Sequence, residues 1–210
     1  MNYEILFATN NKHKLEEVRN YLSPYGIIVY GLSDVLLDVK EPDETGSTYR
    51  ENALIKASAY KDATTLPIVS DDSGLEVAAL GNIPGINSAR FAAEKGGHDA
   101  AMNYIINELN KYEDRSARFI CEIVVLNIGD RPLFFQGIAN GEIISEKDGE
   151  KGFGYDPIFF SHEANKTFAN LTNDEKNMYS HRGKALKKFL TMLQLRGFAK
   201  FKKVNHHHDH

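Results

Sequence analysis

Apolar and polar residues follow one another along the chain in blocks that switch between a strand-like and a helix-like period. Residues 3–8 form a short apolar run, followed by the polar turn Thr9, Asn10, Asn11 and then by Leu15, Val18 and Leu22 at i, i+3 and i+7. That order predicts strand, loop and helix, with Pro24 and Gly26 ending the helix. Residues 27–30 predict a second strand. The acidic stretch 38–46 contains Pro42 and reads as a loop, and Thr48 with Glu51 three residues on predicts a capped helix over 49–63. Residues 67–70 and 75–80 predict two strands separated by a turn at Asp71-Asp72-Ser73-Gly74. From Asp99, the spacing of Met102, Ile105, Ile106 and Leu109 predicts an amphipathic helix. The β-branched run 119–128 ends at Gly129-Asp130 and pairs as a hairpin with 133–138. After a glycine-rich segment at 149–154 and an apolar run at 157–160, Ala185, Leu186, Phe189, Leu190 and Leu193 mark a last helix, with Ser180 as its N-cap.

Strands alternate with helices at the start and form hairpins in the middle. The expected fold class is therefore α/β, a mixed β-sheet flanked by helices on both faces. No repeat or low-complexity linker interrupts the 210 residues, which predicts one domain over 1–204, of two lobes with the active-site cleft between them. The stretch 205–210 reads NHHHDH and is set apart as a His-rich tail, outside the fold and metal arguments.

Composition narrows the function classes. With 42% apolar and 26% charged residues the chain is of the globular type. No apolar stretch approaches the ~20 residues of a membrane span, so no membrane partner is expected. The start MNYEILFATNN has no basic leader ahead of an apolar core, and the expected location is cytoplasmic. The net charge of −4 argues against a nucleic-acid partner. Seven cations and no acid lie within 184–203, leaving −11 on the rest of the chain, and this basic stretch reads as a solvated helix face and tail. Cys121 is the single cysteine, and no Cys/His spacing suggests zinc.

Four polar segments sit where α/β proteins place ligands. Thr9-Asn10-Asn11-Lys12-His13-Lys14 lies between a strand and the helix it feeds. Backbone N–H groups, the positive helix end and a lysine suit a phosphate there, and an Asn-rich turn is the alternative. The pattern is not that of a P-loop. Asp71-Asp72-Ser73-Gly74 places two carboxylates beside apolar runs, which suits Mg2+ and proton transfer from an attacking water, or else an Asx turn. Asp43 and Glu44 are candidates for a further metal-site carboxylate. Gly152-Phe153-Gly154-Tyr155-Asp156-Pro157 offers a stacking face for a base, with core packing of one aromatic as the alternative. Lys176 with Ser180-His181-Arg182-Gly183 puts cations at a helix start, where they are electrostatically misplaced unless an anion or a carbonyl lies opposite.

Together these segments resemble the inosine triphosphate pyrophosphatase family, whose members hydrolyse non-standard purine nucleoside triphosphates. The likeness rests on ATNNKHK, ENALIKA, SDDSGLEV, IPGINSARFA, GFGYDPIFF and EKNMYSHRGKAL, in order along nearly the whole chain. It implies an elongated two-lobed α/β fold, a homodimer and a Mg2+ requirement. Carried over by position, it implies that Thr9, Asn11 and Lys14 hold the triphosphate with Lys56, and that Asp72 is the metal-binding catalytic residue. It further implies that Ser73 touches substrate, that Asp43 (with Glu44 as alternative) is the second metal carboxylate, and that Phe153 stacks on the purine. Asp156, Lys176, Ser180, His181 and Arg182 would line the base pocket, and Asn10, Lys12, His13, Gly154 and Tyr155 belong to the same substrate-binding segments. Two positions depart from the family pattern: Asn10 replaces a glycine, and Asn170 replaces a glutamate before the lysine.

The reaction implied is water attack on the α-phosphorus with release of pyrophosphate, from ITP, dITP or XTP. His181 and Arg182 would donate to the 6-keto oxygen, where adenine presents a donor instead. A Maf-like pyrophosphatase of other specificity and a non-enzymatic nucleotide-binding module are the two competing readings.

Overall fold

A computed structural model describes residues 2–204; Met1 and the His-rich tail 205–210 lie outside the described residues. In chain order the elements are β1 (Tyr3–Phe7), α1 (Lys12–Leu22), β2 (Ile27–Tyr30), α2 (Tyr49–Ser58), β3 (Ile68–Val77), β4 (Ile83–Pro84), α3 (Ser88–Glu94) and α4 (His98–Leu109). They continue with β5 (Ser116–Leu126), β6 (Leu133–Ile143), β7 (Phe159–Ser161), β8 (Lys166–Thr167), α5 (Asn173–Tyr179) and α6 (His181–Leu195). The strands form a mixed sheet in the order β2-β1-β3-β5-β6-β7-β8, with β4 paired to β3. β1 is parallel to β2 and to β3, whereas β3–β4, β6–β7 and β7–β8 are antiparallel. This is the mixed α/β class that the sequence pattern predicts.

The chain forms two compact units. One comprises the residues up to Asp71, 122–135 and those from Ala185 onward; the other comprises 72–121 and 136–184. In the first unit, Leu6, Ala53, Ala57, Tyr60, Ile68, Val124 and Leu126 share a buried core between sheet and α2. In the second, Leu75, Val77, Ile105, Leu109, Phe119, Ile143, Phe159 and Phe168 pack together with Tyr155. Buried aliphatic and aromatic side chains of this size each contribute about 1.5–3 kcal/mol by leaving water.

The helices end where their sequences say they should, with one exception. Leu15, Val18 and Leu22 are the buried stripe of α1, and Gly26 closes the following turn at φ 81°. Thr48 caps α2 by accepting from the Glu51 N–H, but the helix ends at Ser58 and turns, not helix, continue to residue 63. Ser180 caps α6 by accepting from the Gly183 N–H at 2.9 Å, and the predicted face from Ala185 to Leu193 is buried.

One expectation fails. The predicted turn at Asp71-Asp72-Ser73-Gly74 does not exist, because β3 runs through it from Ile68 to Val77 and every residue but Ser73 is buried. Turn-forming residues keep a strand conformation when their side chains find partners outside the local backbone. The Asp71 carboxylate meets Lys14 of α1, and the Ser70 hydroxyl donates to the Ala53 carbonyl of α2.

Candidate active site

The predicted site residues fall into two sets, one in each compact unit. In the first unit Asn11 is the N-cap of α1; its Oδ1 accepts from the His13 and Lys14 N–H groups at 3.0 and 3.2 Å. Its own N–H donates to Thr9 Oγ1 at 3.1 Å. Asn10 is not among the residues with positive φ, so replacing the usual glycine there brings no left-handed strain. The first turn of α1 contains Lys12, His13 and Lys14 and no acid, which is the composition that favours an anion at a helix start.

Lys14 lies mostly beneath the surface, its Nζ 3.1 Å from Asp71 Oδ1. Lys56 approaches Glu44 Oε1 at 3.0 Å, while Asp43 on the same loop is exposed. Both lysines proposed for the triphosphate are therefore held by carboxylates. Such pairing restricts the rotamers of a long flexible side chain.

In the second unit Asp72 and Asp156 are buried, 5% and 4% exposed. The Asp156 carboxylate accepts from Lys176 Nζ at 2.6 Å and from the Phe153 N–H at 3.0 Å through the same oxygen. The loop folds tightly around it. A Cβ on Gly152 would lie 2.2 Å from Asp156 Oδ2, and the φ of +74° is one that glycine adopts without penalty. The Phe153 ring is half-buried and faces two cations, Lys176 Nζ at 4.6 Å and Arg182 Cζ at 5.9 Å from its centroid. Arg182 also donates to Ser73 Oγ at 3.0 Å.

Of the two aromatics in that loop, Tyr155 is the core residue. It is 4% exposed, and its hydroxyl donates to the Ser88 carbonyl at 2.6 Å. Burial pushes its pKa up. His181 is buried and stacks on Phe119, with centroids 4.6 Å apart at 12°. Lys176 stands in α5, whose start is a complete capping box: Thr172 Oγ1 accepts from the Glu175 N–H, and the Glu175 carboxylate accepts from the Thr172 N–H. Asn170 donates to Thr167 Oγ1 at 2.9 Å, a local contact in the turn before α5.

Sequence reasoning passed over two of these partners. Asp71 as the companion of Lys14 is 57 positions away and carries no local signal. The capping box Thr172-Asn173-Asp174-Glu175 was readable as a helix start, and it sets Lys176 in the last turn of that helix.

Among the described residues no group of three or more His, Cys, Asp or Glu side chains comes together as a metal cage. Mg2+ does not require one, because it binds through one or two carboxylates plus water and substrate phosphates. The buried Asp72 in one unit and the acidic-loop carboxylates in the other are each hard oxygen donors of the type that ion takes.

Comparison with known proteins identifies the family. The sequence model of the Ham1 family matches residues 5–192. The chain is 41% identical to a dITP/XTP pyrophosphatase of Bacillus subtilis (strain 168), over 91% of this chain and 97% of that protein. A solved HAM1 protein from Coxiella burnetii superposes with a TM-score of 0.81 at 38% identity, covering 92% of this chain and 99% of that one. The Staphylococcus aureus Ham1 protein gives a TM-score of 0.79 at 38% identity with the same coverage.

Proposed function

Because the chain belongs to the Ham1 family, we propose that it hydrolyses non-standard purine nucleoside triphosphates, ITP, dITP and XTP, to the monophosphate and pyrophosphate. The observation that carries this reading is the double contact of Arg182 with Ser73 and with the Phe153 ring. It ties the aromatic platform for a base to the residue next to Asp72 within one compact unit.

Thr9, Asn11, Lys14 and Lys56 bind the triphosphate. Asp72, with Asp43 or else Glu44, would hold Mg2+. When bound, Mg2+ neutralises phosphate charge and polarises the phosphoryl oxygens. Asp72 takes a proton from the water whose oxygen forms the new bond to the α-phosphorus. The bridging α–β bond breaks, and Lys14 and Lys56 offset the charge that develops on the departing pyrophosphate.

Phe153 stacks on the purine, and its two flanking cations draw electron density from the ring face. Arg182 and His181 donate to a 6-keto oxygen and meet the 6-amino group of adenine donor to donor, which leaves both unpaired. The protein acts in the cytoplasm as a homodimer.

The test is pyrophosphate release from dITP, XTP, ATP, GTP and dTTP, each with and without Mg2+, for the wild type and for Asp72→Asn. Mg2+-dependent turnover of dITP and XTP far above ATP and GTP is expected, with a loss of several orders of magnitude in Asp72→Asn. Preferential turnover of dTTP would favour the Maf-like reading, binding without turnover a nucleotide-binding module, and a fully active Asp72→Asn would remove that residue from the chemistry.

A further inference from the structure

The loop that carries Phe153 has a second side, and a histidine outside every motif discussed so far occupies it. His98 is the first residue of the 12-residue helix α4. Its ring meets Tyr155 edge to face, with centroids 5.0 Å apart at 77°. Gly154, between Phe153 and Tyr155, has φ +63°; a Cβ built there would find His98 Nε2 at 3.7 Å and Cδ2 at 3.8 Å as its nearest neighbours. The imidazole therefore flanks the loop at Gly154 with room for a methyl group between them, and its direct contact is with the Tyr155 ring.

The rest of the loop is fixed from other directions. Asp156 holds the Phe153 N–H, and the Tyr155 hydroxyl holds the Ser88 carbonyl at the start of α3. Gly154 stands between these anchors with a φ that glycine adopts without penalty, and the imidazole packs on the Tyr155 ring beside it. The start of α4 is itself tied down by the ion pair between Asp99 and Lys147, which follows directly from the neighbouring position on the helix.

We propose that His98 is a positioning residue for purine recognition: it backs Tyr155, two residues beyond Phe153, and so sets the angle at which Phe153 meets the base. The proposal rests on the reading of Phe153 as the purine platform. It places His98 outside the chemistry, since it belongs to neither the triphosphate set nor the Asp72 set. Its effect is therefore expected in KM for nucleotides and not in kcat. An edge-to-face aromatic pair contributes on a scale that converts to about two- to tenfold in an equilibrium constant.

The experiment compares His98→Ala, His98→Gln and His98→Phe by steady-state kinetics on dITP, and by inhibition with inorganic tripolyphosphate, which has no base. His98→Ala and His98→Gln are expected to raise KM for dITP by about two- to tenfold with kcat within twofold of wild type. His98→Phe, which keeps a ring against Tyr155, is expected to restore KM, and the tripolyphosphate inhibition constant to stay unchanged in all three. An unchanged KM in both ring-less variants overturns the proposal, as does a failure of phenylalanine to restore it or a parallel loss of tripolyphosphate affinity. Phe153→Ala separates the two layers of the argument. If it leaves KM unchanged, the platform reading itself fails; if it raises KM while His98→Ala does not, only the role of His98 fails.

Discussion

Replacing Asp156 by asparagine removes one negative charge and changes almost nothing else. The carboxylate is 4% exposed and Lys176 8% exposed, and their 2.6 Å contact is a charge-assisted hydrogen bond shielded from water. Removing one partner of such a pair strands the other charge, which in buried pairs costs about 3–5 kcal/mol. Asparagine keeps an oxygen that can still accept from Lys176 or from the Phe153 N–H, so the expected loss is at the lower end, about 3 kcal/mol. Urea unfolding of the wild type, Asp156→Asn, Lys176→Met and the double variant measures it. The double variant should be less destabilised than the sum of the single ones by at least about 1 kcal/mol, since it strands no charge. Additivity to within ~0.5 kcal/mol would refute the argument that this pair is energetically coupled.

Two further outcomes follow from single positions. Gly183→Ala sets a Cβ 2.0 Å from the Asn177 carbonyl oxygen, a backbone atom that cannot swing aside. The start of α6 must shift, with an expected cost of about 1–3 kcal/mol and a fall in Tm of several degrees on thermal denaturation, and an unchanged Tm would contradict the packing described. His98 has its pKa lowered from 6.5, first by desolvation, with Asp156 acting against the shift. A depressed histidine favours the neutral folded state, so its contribution to stability is complete above pH 6.5 and is lost as the pH falls through the lowered value. Protonation places a cation against the Tyr155 ring, next along the helix to the Asp99–Lys147 pair and within the field of the Asp156 carboxylate that Lys176 uses. KM for dITP is expected to climb in the wild type as the pH falls through that lowered value, and the part of the climb due to His98 to be absent in His98→Phe; identical profiles would show that another group is responsible.

How much of this was legible in the sequence depended on the range of the interaction. The 3.6-residue spacing of Leu15, Val18 and Leu22, the Ser180 cap and the apolar face of α6 are local patterns, and the structure has them where the pattern says. Asp71-Asp72-Ser73-Gly74 has the composition of a turn, and it is a strand because Lys14 and the backbone of α2 supply distant partners that no local window contains. The choice between Phe153 and Tyr155 as the core aromatic was open from sequence. It is settled by the Ser88 carbonyl, 67 positions away, which takes the Tyr155 hydroxyl. His98 gave no signal, because its relevance lies only in its contact with a loop more than 50 positions later.

The unbroken course of β3 has a consequence for how the chain tolerates change. Neighbouring side chains on a strand point to opposite sides of the sheet, so Asp71 and Asp72 do not form a dyad sharing one proton. Asp71 meets Lys14, and Asp72 stands on the opposite side of the strand. Inserting or deleting one residue ahead of them would exchange their sides and deliver each acid to the other's environment while leaving the sequence Asp-Asp intact. In this part of the chain substitutions act on one residue at a time, whereas a single-residue change of length inverts the site. Length, more than composition, is what the strand protects.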